Sequence, residues 1–142
     1  YGSVYGNTEN AVDILAAKLA ERGIKNIKVY DVSVTDPSYL VAEAFRCSHI
    51  VIASSTYNNG IFTNMENLLH EIAAHNLQNR KIAIMQNGSW APVSGKLIEE
   101  ILAPLKNMEY IGEKVTLKSS MKTGQNEEID KLADAICASM MP

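Results

Sequence analysis

Ile50-Val51-Ile52-Ala53-Ser54-Ser55-Thr56-Tyr57-Asn58-Asn59-Gly60 runs from four consecutive apolar residues into a loop of hydroxyls, amides and a glycine, with no charge anywhere. A strand with one wet face alternates polar and apolar side chains; a strand covered on both faces does not. Ile50–Ala53 therefore reads as a strand with helices on either side. Downstream, Met65, Leu68, Leu69 and Ile72 fall at helical spacing, and Ile82–Met85 is a second unbroken apolar run. Strand, helix and buried strand in succession imply parallel pairing, because a short turn cannot return the chain to the same end of the sheet.

The pattern extends both ways. Val12, Leu15, Ala16 and Leu19 predict a helix stopped by Gly23, and Leu97, Ile98, Ile101, Leu102 and Leu105 predict another despite Pro104. A last helix is expected at Ile129, Leu132, Ala133 and Ile136, capped by Asn126 with Glu127 and Glu128 in its first turn. A weaker one covers Tyr39 to Cys47, after Asp36-Pro37. Ile27 and Val29 alternate with Lys28 and Tyr30, and Val115 and Leu117 with Lys114, Thr116 and Lys118, as edge strands do. The class is α/β with a parallel sheet, one domain over residues 1–142.

Composition fits that class. The 142 residues are 46% hydrophobic and 20% charged, a globular balance. Thirteen Lys and Arg against sixteen Asp and Glu leave a net charge of −3, with no basic excess for a phosphate backbone, so no nucleic-acid partner is expected. No apolar stretch approaches the ~20 residues that span a bilayer, so neither a membrane partner nor a signal peptide is expected, and a cytoplasmic location is. Cys47 and Cys137 lie in apolar settings and read as free thiols of a reducing cytoplasm. His49, His70 and His75 have no HxH or HExxH spacing, and no metal site is expected.

Loops that follow parallel strands open on one sheet edge, where ligands of such folds bind. The first, Gly2-Ser3-Val4-Tyr5-Gly6-Asn7-Thr8, offers hydroxyls, an amide and the start of a helix, which together hold an anion without a cation. It equally suits a helix start with Thr8 as N-cap. It lacks the spacing of a Walker A or dinucleotide-binding loop. The second, Ser54 to Gly60, sets Tyr57 beside Asn58 and Asn59, which suits either a flat heteroaromatic ligand or an ordinary Asn-Gly turn. The third, Asn87-Gly88-Ser89-Trp90-Ala91-Pro92-Val93-Ser94-Gly95, holds the one Trp, on a loop rather than on a periodic core face.

These residues resemble the flavodoxin family over essentially the whole chain, and in particular the flavodoxin-like domain of flavodiiron proteins (A-type flavoproteins). Ser3-Val4-Tyr5-Gly6-Asn7-Thr8-Glu9 resembles their phosphate loop, and Thr56-Tyr57-Asn58-Asn59-Gly60-Ile61-Phe62 their second loop. Asn79-Arg80-Lys81, before a strand that ends in Gly88-Ser89, fits the same family. The resemblance implies a non-covalent FMN, with Ser3, Val4, Tyr5, Gly6, Asn7 and Thr8 on its phosphate. Ser55, Thr56, Tyr57, Asn58, Asn59 and Gly60 would line one side of the isoalloxazine, and Asn87, Gly88, Ser89, Trp90 and Ala91 the other, with Tyr57 or Trp90 stacking. Ser55 stands where the family usually has Pro. The third loop is one residue longer than the family's common form, with Trp90 at a Tyr position and Ala91 at a Gly. No Lys or Arg occurs in the three loops, so a low hydroquinone potential is expected.

The implied function is an electron-transfer module, working between a reductase or rubredoxin-type donor and an acceptor such as a diiron oxygen or nitric-oxide reductase domain. The partner is thus a redox protein or a fused redox domain. The alternative is an FMN-dependent NAD(P)H:quinone-type reductase. A phospho-receiver domain would need an Asp where the chain has Ala53-Ser54-Ser55. The implied fold is a three-layer sandwich with five parallel strands in the order 2-1-3-4-5. Its first, central strand is largely missing before Tyr1, so the sequence is expected to be a fragment of a longer reading frame.

Overall fold

A computed structural model describes residues 1–3, 7–57, 60–87, 93–117 and 123–140. Its elements in chain order are α1 (Asn7–Glu21), α2 (Pro37–Arg46), β1 (His49–Tyr57), β2 (Gly60–Ile61), α3 (Thr63–Ala74), β3 (Arg80–Asn87), α4 (Ser94–Leu102), β4 (Met108–Tyr110), β5 (Val115–Leu117) and α5 (Thr123–Met140). The two unbroken apolar runs are the hearts of β1 and β3, which pair in parallel from His49↔Lys81 to Ser55↔Asn87. β4 and β5 both pair with β3 in parallel, β4 along its first residues and β5 along its last. β2 is a short antiparallel return on the end of β1.

Both faces of the sheet are covered, as the lack of alternation in β1 and β3 requires. Ile52, Ile82 and Ile84 face one cluster with Leu40, Leu68, Leu69, Ile72, Ile98 and Leu102. Ala53, Ala83 and Met85 face the other, with Ala11, Leu15, Leu19, Ile129, Leu132 and Ile136. Ion pairs Lys18–Asp130 at 2.7 Å and Arg22–Asp134 at 2.8 Å tie α1 to α5 on the rim of the second cluster. At the opposite edge from the three loops, Asn26, Asn76, Asn79 and Asn107 take positive φ between 55° and 61°. Asparagine tolerates that left-handed turn better than other side-chain-bearing residues, which lets the chain swing from a helix toward the next extended segment.

Several boundaries differ from the sequence reading. α4 stops at Leu102, leaving Leu105 outside, because Pro104 has no N–H to continue the ladder. α2 starts at Pro37, where Asp36 accepts the Ser38 N–H at 2.9 Å, and ends at Arg46 with Cys47 as its C-cap. α5 starts at Thr123, so Asn126 lies within the helix rather than capping it. The apolar stripe begins only at Ile129, and periodicity therefore carries no trace of the added turn. Val115 and Leu117 are buried rather than lying on a wet rim, because α5 covers β5.

The largest difference concerns Ile27–Tyr30, which is not a strand. Only its end meets a partner: Tyr1 N–H donates to Tyr30 O at 2.7 Å, and Val32 N–H donates to Tyr1 O at 3.0 Å. Gly2 in turn bridges in parallel to Ser54, through Gly2 N–H to Ala53 O at 2.9 Å and Ser55 N–H to Gly2 O at 3.0 Å. Tyr1–Gly2 therefore lies between the two segments. Cys47 and Cys137 are free and half-buried. Among the described residues no helix is long and apolar enough to cross a membrane, and no three His, Cys, Asp or Glu side chains gather as a metal site.

Two stability predictions follow from this packing. Ile98 is fully buried, so Ile98→Ala is expected to cost about 2–5 kcal/mol by chemical denaturation, whereas Val34→Ser, at 82% exposure, changes stability by less than about 0.5 kcal/mol. His49 bonds Ser48 Oγ at 2.7 Å and Ser139 Oγ at 3.0 Å, and burial, then Lys81, holds its imidazole below the ordinary 6.5. The unfolded chain then takes up the proton first, so the His49 contribution is complete above 6.5 and is lost as pH falls through the folded value. Denaturation midpoints measured between roughly pH 7 and pH 5 should fall less steeply in His49→Gln than in the parent.

Candidate functional site

The parallel register of β1 and β3 sets Ser55 beside Asn87 at the carboxyl ends of the two strands. The first turn of α1 comes down onto that pair. Thr8 Oγ1 lies 3.1 Å from Ser55 Oγ and accepts the Asn87 amide N–H at 3.4 Å. All three side chains are buried, Thr8 at 1% exposure. One polar residue from each of the three loops thus meets at a single point beneath the sheet edge. Thr8 sits inside α1, which begins at Asn7, and so is not its N-cap.

A second set of bonds ties the loop after β1 to the start of α4. Val93, the residue preceding α4, has no capping side chain, and Thr56 supplies the missing acceptor from β1. Its Oγ1 accepts Val93 N–H at 3.2 Å and Ser94 N–H at 3.4 Å, satisfying two donors that every helix start leaves open. Ser94 Oγ, wholly buried, donates to Ser54 O at 3.1 Å, and Ser54 Oγ accepts Phe62 N–H at 3.3 Å. One layer down, Gln86 accepts Gly95 N–H at 2.9 Å and donates to Thr116 Oγ1 at 2.9 Å. A Cβ on Gly95 would stand 2.9 Å from Gln86 Oε1, so a side chain there would force the amide aside. Likewise a Cβ on Gly2 would meet the Phe62 ring at 3.0 Å.

Of the residues the sequence singles out, Ser3, Asn7, Thr8, Ser55, Thr56, Gly60 and Asn87 are placed at this edge. Gly60 is not a free turn residue; it opens β2 and pairs with Tyr57, the last residue of β1. Val4, Tyr5, Gly6, Asn58, Asn59, Gly88, Ser89, Trp90 and Ala91 lie outside the described residues. Ser54, Gln86, Ser94 and Gly95 are the supports that sequence reading did not assign. The one available signal was the run of hydroxyls at Ser54-Ser55-Thr56 directly after an apolar strand, since a hydroxyl continuing a buried strand needs partners inside the protein. No Lys or Arg belongs to the three loops. The nearest charge they carry into α1 is Glu9, which, after burial, helps push the Tyr1 phenol up to about 12. The described chemistry is a neutral, hydroxyl-rich cradle at a helix N-terminus, between two strand ends.

No protein-family model matches the sequence. The anaerobic nitric oxide reductase flavorubredoxin of Vibrio vulnificus is 29% identical over 116 residues, which take in 78% of this chain and 22% of that protein. The chain therefore spans about a fifth of the length of the curated relatives it matches. Among solved structures, rubredoxin oxygen:oxidoreductase from Desulfovibrio gigas superposes with a TM-score of 0.90 at 22% identity, covering 98% of this chain and 34% of that one. A flavodoxin from Streptococcus pneumonia TIGR4 superposes with a TM-score of 0.83 at 21% identity, covering 98% of this chain and 95% of its own. Sequence and fold agree: the chain has a flavodoxin-like fold and is similar to flavorubredoxins and to solved flavodiiron proteins.

Proposed function

We propose that the chain binds FMN across the three loops and passes electrons between a redox partner, or a fused redox domain, and an acceptor in a reducing cytoplasm. The observation that carries this reading is the meeting of Thr8, Ser55 and Asn87, which makes three separate loops one site. FMN supplies one- and two-electron redox chemistry when bound; the protein supplies position and electrostatics.

The donor set fits a phosphate monoester. A hydroxyl has one proton and two acceptor lone pairs. Thr8 and Ser55 share a hydroxyl–hydroxyl bond that either can donate; in the arrangement where Ser55 Oγ–H donates, alongside Asn87 Nδ2–H on Thr8 Oγ1, the Thr8 proton is left to donate to an anion at the start of α1. The first-turn amides of α1 and the helix dipole favour the same negative charge. Asn7 opens α1 beside that position, and no cation is needed. Thr56, through Val93 and Ser94, fixes where the third loop returns to the sheet, and the β1–β2 pairing fixes where the second loop does. These bonds hold the described ends of the second and third loops, between which a flat ring would lie. The FMN-dependent NAD(P)H:quinone-type reductase would use the same cradle but needs a second substrate pocket.

Purified protein is expected to bind FMN one to one, read by quenching of flavin fluorescence, and to hold riboflavin at least tenfold more weakly. Thr8→Val should weaken FMN by about 10- to 150-fold, the worth of a hydrogen bond to a charged group, while leaving riboflavin nearly unchanged; Thr8→Ser should restore most of the loss. Equal affinity for FMN and riboflavin would contradict the phosphate assignment. Steady NAD(P)H oxidation with a quinone by the isolated protein would favour the reductase instead.

A further inference from the structure

α4 begins over one row of residues that runs across the sheet. The registers set Ser54 of β1, Gln86 of β3 and Thr116 of β5 side by side. Ser94 Oγ donates to Ser54 O at 3.1 Å, and Gly95 N–H donates to Gln86 Oε1 at 2.9 Å. Alternate residues of a strand share a face, so Gln86 continues the row of Ile82 and Ile84, which packs with Ile98 and Leu102 of α4. The apolar contacts place the body of the helix, and the Gln86 amide places its start.

That amide has one possible orientation. A backbone N–H can only donate, so the amide oxygen faces Gly95, and the amide nitrogen is then turned to Thr116 Oγ1, at 2.9 Å. Gln86 also lines a cavity of about 440 Å³ with Glu99, Tyr110 and Lys114, but both ends of its amide are bonded within the protein. The N–H groups that a helix start leaves open are shared out between two strands: those of Val93 and Ser94 go to Thr56, and that of Gly95 goes to Gln86. Place in the chain gives the second bond its meaning. β3 ends at Asn87, so Gln86 stands one residue before the last of the strand, while its side chain holds the second residue of α4, nine positions on. A single residue therefore brackets the third loop at both ends.

We propose that Gln86 is a positioning residue for the ring half of the flavin site: by bracketing the third loop it fixes the wall that Asn87–Ala91 would present to the isoalloxazine. The inference rests on the FMN reading above. A loop that must be ordered on binding gives up affinity to do so, and ends already held together remove part of that loss. The consequence is a signature opposite to that of Thr8. Loosening the bracket weakens every ligand that carries the ring, with or without a phosphate, whereas removing the Thr8 hydroxyl weakens only the phosphate ester.

Two substitutions loosen the bracket from opposite sides. Gln86→Ala removes the amide. Gly95→Ala keeps it but sets a Cβ 2.9 Å from Gln86 Oε1 and from Lys114 Cδ, both far ends of flexible side chains, so the amide is pushed aside. Each is expected to weaken FMN and riboflavin alike by about 2- to 12-fold, the worth of one neutral hydrogen bond, with the ratio of the two affinities kept within about twofold. Because both act on one contact, the double variant is expected to lose no more than about twofold beyond either alone. In the ligand-free protein, hydrogen exchange at the Gly95 amide should quicken on the order of tenfold in both, with the amides of Ile52 and Ile84 unchanged. Should one variant fail to fold, the other carries the same readouts. A parent that binds neither flavin overturns the FMN reading and this role with it. A parent that binds both, with Gly95 released and both affinities unchanged in the variants, overturns the role of Gln86 alone. So does a loss for FMN without one for riboflavin, or quickened exchange spread over β1 and β3.

Discussion

Everything at the site depends on the parallel pairing of β1 with β3. That ladder runs from His49↔Lys81 to Ser55↔Asn87 and fixes two strand ends level with each other to within one residue. A slip by one residue would turn every side chain to the opposite face. Ile52 and Ile84 would then exchange places with Ala53 and Ala83, and the α1/α5 side holds alanine at both of those positions. Core packing therefore sets the register, and the register sets Ser55 beside Asn87. Thr8 completes the cluster because Ala11, Leu15 and Leu19 hold α1 against the same face.

Polar groups at the end of a buried strand are costly unless they are bonded, and here they are bonded to one another. Ser54, Ser55, Thr56, Ser94, Gln86 and Asn87 form a layer between the apolar core and the open edge. Among the described residues no buried side-chain polar atom is left without a partner. The layer does two jobs at once: it satisfies the strand ends, and it holds the described ends of the three loops. Under the proposed function, oriented protons rather than a cation would hold the anion here.

The fold was legible where burial is two-sided. Ile50–Ala53 and Ile82–Met85 betray their position by lacking alternation, and the helical stripes of α1, α3 and α4 are marked by period alone. What periodicity cannot report is a helical turn with no apolar residue, which is why the start of α5 at Thr123 escaped it. Nor does β propensity make a strand without a partner: Ile27 and Val29 have the composition of one, but the chain beside them reaches only Tyr30 and Val32. At the candidate site, Thr8, Ser55 and Asn87, which the structure brings together, belong to loops singled out for their hydroxyls, amides and glycines. Their supports were not, because Gln86 and Ser94 act through contacts made between residues nine or more positions apart, which no local motif encodes.

If one cradle spans the three loops, a single ligand must be felt by all of them together. Backbone amide NMR of the protein titrated with FMN reads this residue by residue. The amides of Ser3–Thr8, Ser55–Gly60 and Asn87–Ala91 are expected to shift along one common binding curve, with little change at Asn76 and Asn79 at the opposite edge of the sheet. Shifts confined to one loop, or centred on the cavity lined by Glu99, Tyr110 and Lys114, would contradict the three-loop site.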